Sequence, residues 1–143
     1  MEKRKVVLLD LNKTLAEECA YDFKTFKYNV SKDVYSTRLV DVLKKQGHEV
    51  HLLTARTQEY KVITLAKIYN DTGFTPDFAV FKTQKYQKVH DFKRNYAETL
   101  IKSGVLADDI IAVESNINTH REYRTLGITN IYKRDKFLAE FDV

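Results

Sequence analysis

Four branched apolar residues, Val6-Val7-Leu8-Leu9, run directly into Asp10. A short continuous run of this kind reads as a strand covered on both faces, here about 5–11, as in the interior of a parallel sheet. The pattern returns at Glu49-Val50-His51-Leu52-Leu53-Thr54, at Asp77–Phe81 and at Asp109–Glu114, and a short last strand is expected at Ile128–Tyr132. Between these runs, apolar residues recur near helical spacing. Val34, Leu39, Val40 and Leu43 predict a helix over about 33–46, capped by Asp33 or Ser31 and closed by Gly47. Val62, Leu65, Ala66 and Tyr69 predict a second over about 58–71, after an Ala55-Arg56-Thr57 turn and before Gly73 and Pro76. A third over about 91–103 stops at Gly104, and a fourth over about 117–126, capped by Ser115 or Asn116, stops at Gly127. The tail to Val143 has room for a final helical turn. Residues 16–33 hold Tyr21, Phe23, Phe26 and Tyr28 without a clean period, and read as a short hairpin or flap over the end of the first strand.

Strands alternating with helices imply βαβ units, hence an α/β fold with a mainly parallel five-stranded sheet whose carboxyl edge is the natural place for a ligand. The 143 residues suit one domain, 1–143, with no repeat or linker. A 43% hydrophobic and 31% charged composition excludes a disordered chain. The net charge of +4 mildly favours an anionic partner. Cys19, being single, forms no internal disulfide, and no apolar stretch approaches the roughly 20 residues of a membrane span. The apolar run after Met-Glu-Lys-Arg-Lys is too short for a signal peptide, so the cytoplasm is the expected location.

The strand ends deliver Asp10, Thr54 and Glu114 to one edge. Between the third and fourth strands lie Lys82, Lys85, Lys88, Lys93 and Arg94. Thr54 alone also fits a helix N-cap, and the basic residues a solvated face. Asp10 stands out because it follows four apolar residues. His48, His51, His90 and His120 lack metal-ligand spacing.

In this order, Asp10-Leu11-Asn12-Lys13-Thr14, Leu52-Leu53-Thr54, a lysine, and Ile111-Ala112-Val113-Glu114 resemble the four motifs of the haloacid dehalogenase-like (HAD) phosphohydrolases. Thr54-Ala55-Arg56, Lys88 to Ile101, and Ile110 to Ile128 with Arg124 and Gly127 resemble the 3′-phosphatase domain of phage-type polynucleotide kinases. The resemblance implies a three-layer Rossmann-like fold and Mg²⁺-dependent hydrolysis through an aspartyl-phosphate on Asp10. Asp10, Asn12 and Lys93 are the implied catalytic positions, with Lys88 the second choice of lysine. Thr14, Thr54, Arg56, Lys88 and Asn116 are implied substrate contacts, Arg56 as a bidentate phosphate clamp. The implied metal ligands are Asp10, the Asn12 carbonyl, Glu114 and Ser115.

Two positions depart from the pattern. Asn12 stands where the family usually has a second Asp, and an amide cannot transfer a proton, which costs about 10² to 10⁴-fold in general acid–base catalysis. Glu114-Ser115 stands where paired aspartates are common. Two functions follow: a phosphohydrolase acting on nucleotides or polynucleotide 3′-phosphate ends, or a weakly active or inactive module that binds phosphate or nucleic acid. The chain leaves no room for a large cap domain, and an open site would admit a macromolecular end. The basic, aromatic stretch Lys82 to Phe92 would suit a nucleic-acid strand.

Overall fold

The computed structural model describes residues 3–84 and 86–143, so Lys85 and the first two residues of the amino-terminal run lie outside the described residues. In chain order the elements are β1 (Val6–Asp10), β2 (Ala16–Asp22), β3 (Lys27–Tyr35), α1 (Thr37–Gln46), β4 (Glu49–Thr57), α2 (Lys61–Thr72), β5 (Phe78–Lys82), α3 (Val89–Lys102), β6 (Ile110–Val113), α4 (Ile117–Thr125), β7 (Asn130–Tyr132) and α5 (Arg134–Phe141). β1 and β4 to β7 form a five-stranded parallel sheet in the order β5-β4-β1-β6-β7. β2 and β3 form a separate antiparallel hairpin.

Alternation along the central strands builds the three layers, because successive side chains leave a strand on opposite faces. Val7 and Leu9 of β1, with Val50, Leu52, Ile111 and Val113, pack against α1, α2 and α5. Leu8, Leu53, Ile110 and Ala112 pack on the other side against Ala97 of α3 and Tyr123 of α4. Burial on both faces is why β1 and β6 are continuously apolar. Among the described residues no large cap domain is present, and the β2–β3 hairpin follows directly on β1. No helix among them is long and apolar enough to cross a membrane.

Several boundaries differ from the sequence expectation. Helix α1 starts at Thr37, and its cap is Ser36, whose Oγ accepts from Leu39 N at 3.2 Å. Neither Asp33 nor Ser31 caps it, because 33–35 complete strand β3 and Asp33 turns inward to an ion pair described below. Val34 therefore faces out, 45% exposed. Strand β4 continues through Ala55-Arg56-Thr57, where a turn was expected, and the pairing with β5 shifts register between Thr54 and Thr57. The buried face of α2 carries Thr64 and Ile68, while Val62 and Tyr69 are exposed. That helix is turned so that the Thr64 hydroxyl meets Arg56. Helix α3 begins two residues earlier than expected, and the tail forms a full helix. Gly47 closes α1 at φ 65°, a left-handed conformation that glycine adopts without a Cβ penalty.

Candidate active site

The parallel register brings the ends of β1, β4 and β6 side by side, and the side chains there converge. Asp10 Oδ1 accepts from Lys93 Nζ at 2.7 Å, and the same ammonium donates to Glu114 Oε1 at 2.6 Å. Lys93 is 83 residues from Asp10 and 1% exposed. It reaches the sheet edge because α3 packs beside β4 with Ala97 buried on the same side. Asp10 Oδ2 accepts from the Thr14 and Ser115 hydroxyls, both at 2.8 Å. The turn after β1 bends back so that Leu15 N donates to Asp10 O, and it passes Lys13 through φ 63°, a conformation uncommon for a side-chain-bearing residue. Glu114 Oε2 accepts from Asn116 N at 3.0 Å, and its carbonyl contacts His120 Nε2 at 2.6 Å.

One ammonium thus serves two carboxylates. Burial disfavours ionisation of Asp10, but the Lys93 charge and the hydrogen bonds around the carboxyl outweigh it and hold the group below its ordinary value. Burial raises Glu114, and with the Asp10 charge beside it the group rises to about 7 against the pull of Lys93. Burial likewise works against a charged Lys93, yet Asp10 and Glu114 hold its pKa above the ordinary value. At neutral pH the arrangement is an ionised Asp10, a charged lysine and a Glu114 near its titration midpoint.

Arg56 is not a phosphate clamp. Its side chain is fully buried, with Nη1 and Nη2 donating to Asp33 Oδ2 and Oδ1 at 2.7 and 2.9 Å. Nη1 also lies 3.3 Å from Thr64 Oγ1, and the guanidinium sits 4.7 Å from the centre of the Tyr28 ring. Its Nε donates to Asn12 Oδ1 at 3.1 Å, and Asn12 Nδ2 donates to the Tyr28 hydroxyl at 3.1 Å. The arginine therefore holds the hairpin and the Asn12 amide in place, with no donor directed at a ligand. Tyr28, whose phenol is raised by burial, keeps its own proton for donation.

A cavity of about 560 Å³, within the range of small-molecule sites, opens over these groups. Asp10, Asn12, Thr54, Lys93, Glu114, Ser115 and Asn116 line it. The Thr54 hydroxyl oxygen accepts from Arg56 N at 3.1 Å, which leaves its proton for a ligand. Thr14 is fully buried beneath Asp10 and orients it instead of lining the cavity. Asn116 spends its side-chain oxygen capping α4, accepting from Asn118 N and Thr119 N. Lys88, exposed at the start of α3, lies outside the lining, as does Arg124. Lys82 donates to Gln87 O, and Arg94 pairs with Glu98 and Glu122, so these basic residues are tied elsewhere. Sequence reasoning missed Asp33 and the cavity-lining Cys19, Tyr21, Phe23 and Tyr28. The aromatics of 16–33, read as a flap over the end of the first strand, were the available signal for them.

Ser115 Oγ lies 2.8 Å from Asp10 Oδ2 and 3.3 Å from the Asn12 carbonyl, so hard oxygen donors converge at this point, of the kind Mg²⁺ prefers. No group of three or more His, Cys, Asp and Glu side chains suited to a metal occurs among the described residues. A cation here would draw on Asp10, the Asn12 carbonyl and the adjacent Glu114, a donor set that fits but carries little charge.

No family model and no curated protein matches the sequence. Solved structures do match the fold. A phospho-aspartyl intermediate analogue of phosphoserine phosphatase aligns over 98% of this chain and 99% of its own, at 12% identity and a TM-score of 0.60. A hypothetical protein from Xanthomonas campestris aligns over 90% of this chain at 14% identity and a TM-score of 0.54, and this chain spans 62% of its length. The cobalt-bound deoxy-D-mannose-octulosonate 8-phosphate phosphatase of Haemophilus influenzae aligns over 80% of this chain and 60% of its own, at 16% identity and a TM-score of 0.50. The fold is thus shared with solved phosphatase structures.

Proposed function

We propose that the chain is a phosphohydrolase acting through Asp10. The observation that carries this reading is the buried Lys93 bridging Asp10 and Glu114 at adjacent strand ends beneath an open cavity. A structural ion pair would need one carboxylate; the second, with two hydroxyls on Asp10 Oδ2, gives an ionised carboxylate held in one orientation. Asp10 attacks phosphorus, an Asp10–phosphoryl bond forms, and the bond to the leaving oxygen breaks. Water then attacks the same phosphorus, releasing inorganic phosphate and restoring the carboxylate. Lys93 and the Thr54 hydroxyl stabilise the charge on the phosphoryl oxygens. Asp10, the Asn12 carbonyl and Glu114 would hold Mg²⁺, which when bound neutralises phosphate charge. Asn12 has no acidic proton to transfer, so an alkoxide must collect one from the Tyr28 phenol or from water, and turnover of unactivated esters is slow.

The substrate within this reading is a nucleotide or a polynucleotide 3′-phosphate end, in keeping with the motif resemblance and the basic chain. A second reading, a weakly active or inactive module that binds phosphate or nucleic acid, draws on Asn12 and on Ser115, which puts a hydroxyl where a further charge would serve a cation. A Mg²⁺-dependent phosphate-release assay on acetyl phosphate and on 3′-phosphorylated oligonucleotides, with Asp10→Ala as control, separates them. Release abolished by Asp10→Ala supports the enzyme, and absence of release together with phosphate binding supports the module.

A further inference from the structure

The hairpin over the site turns an aromatic face to the cavity. Cys19 and Tyr21 of β2, and Phe23 in the turn that follows the strand, all line the cavity that holds Asp10. Tyr28 stands opposite Tyr21 in the β2–β3 ladder. The rings form a continuous set, with centroids 5.0 Å apart for Tyr21–Phe23, 4.7 Å for Tyr21–Tyr28 and 5.4 Å for Tyr28–Tyr60. Phe23 is 81% exposed, whereas Phe81, Tyr123 and Phe137 are buried in the sheet layers. An exposed phenylalanine at the lip of a polar cavity has apolar surface to give to a ligand. The set is also fixed relative to the carboxylate, since Tyr28 accepts from Asn12, two residues beyond Asp10.

We propose that Tyr21 and Phe23, backed by Tyr28, are a stacking platform for the base of a nucleotide whose phosphate sits at Asp10. The proposal rests on the phosphohydrolase reading and deepens it by naming what the hairpin recognises. An aliphatic sugar phosphate would leave Phe23 in water, and a lipid chain would meet Asn12 and Ser115 on the cavity floor. A planar heterocycle satisfies both surfaces, its faces against the rings and its edges towards polar groups. Ring stacking accepts every base, so the platform selects a base over none without strong preference among bases. Of the described residues in the stretch 82–92, expected from sequence to stack bases, Val89 is the first to line the cavity, with Lys93 just beyond the stretch.

The chain contains no tryptophan, so Phe23→Trp places a single fluorescent reporter on the platform. Adenosine and adenosine 3′-monophosphate are expected to quench it, and ribose 5-phosphate is not. By calorimetry, Phe23→Ala and Tyr21→Ala are expected to weaken adenosine 3′-monophosphate by roughly tenfold or more, and ribose 5-phosphate far less. Phe23 is exposed, so its truncation opens no core cavity, and circular dichroism checks the fold. Equal wild-type affinity for the two phosphates, or equal weakening of both by the alanine variants, would overturn the platform. Asp10-dependent release of phosphate from ribose 5-phosphate tests the phosphohydrolase reading separately. Base-dependent quenching without such release upholds the platform while that reading fails, and release without base selectivity does the reverse.

Discussion

Breaking the pair between Arg56 and Asp33 tests how the hairpin is fastened to the sheet. Both side chains are essentially out of water, at 0% and 1% exposure, and meet through two hydrogen bonds of 2.7 and 2.9 Å. Tyr35 adds a third bond to Asp33 Oδ2 at 2.8 Å. Removing one partner of a buried pair leaves the other charge uncompensated and costs about 3–5 kcal/mol. Domains of this kind have about 5–15 kcal/mol in total, so Asp33→Leu or Arg56→Met alone should bring the chain near its unfolding threshold. Replacing both by apolar residues removes both desolvation penalties, so Asp33→Leu with Arg56→Met should recover most of the loss. Urea denaturation of wild type, both single variants and the double variant gives the coupling directly. Single losses below about 1 kcal/mol, or a double loss equal to the sum of the singles, would refute the reasoning. The double variant also lacks the Arg56 bond to Asn12, so its stability should return while its phosphate turnover stays low.

Other expectations follow from the same geometry. Lys93→Met leaves two buried carboxylates without their cation and should lose about 3–5 kcal/mol in denaturant melts at pH 8, with a smaller loss at pH 5 where one carboxylate takes a proton. Glu114 titrates near 7 in the folded chain and near 4.5 unfolded, so the native state binds the extra proton between those values. Its contribution to stability therefore falls as pH rises through that window, and Glu114→Gln should flatten the slope relative to wild type; an unchanged slope would contradict the shift. Asn12→Asp should raise phosphate release by roughly tenfold or more if proton transfer limits turnover. Ser36→Ala removes the α1 cap and should lose about 0.5–2 kcal/mol.

The parts legible in the sequence are those in which one segment alone carries the signal. Val6 to Asp10 reads as a doubly covered strand ending on an acid because nothing outside the run is needed to see it, and Ile111 to Glu114 repeats the case. The cap of α4, expected at Ser115 or Asn116 and formed by Asn116, and Gly47 as a stop are equally local. Lys93 could be chosen from its neighbours only through motif resemblance, since a helix face with many cations does not say which one is drawn inward. The fate of Arg56 was hidden because its partner Asp33 lies 23 residues away on a hairpin without a clean period. Once Asp33 is committed to that pair, β3 extends to Tyr35 and the cap of α1 moves to Ser36. The shared lining by Cys19, Tyr21 and Phe23 carries no regular period, because the β2–β3 ladder is bulged beside Cys19 and Phe23 lies in the turn beyond the strand.

Trapping the covalent intermediate tests the central claim most directly. The chain is mixed with acetyl phosphate and Mg²⁺, quenched in acid within the first turnover, digested, and the peptides are read by mass spectrometry. A phosphoryl group on the peptide carrying Asp10, absent after Asp10→Asn, is the predicted result. Phosphate release that persists in Asp10→Asn, or a phosphoryl group on another residue, would contradict the account.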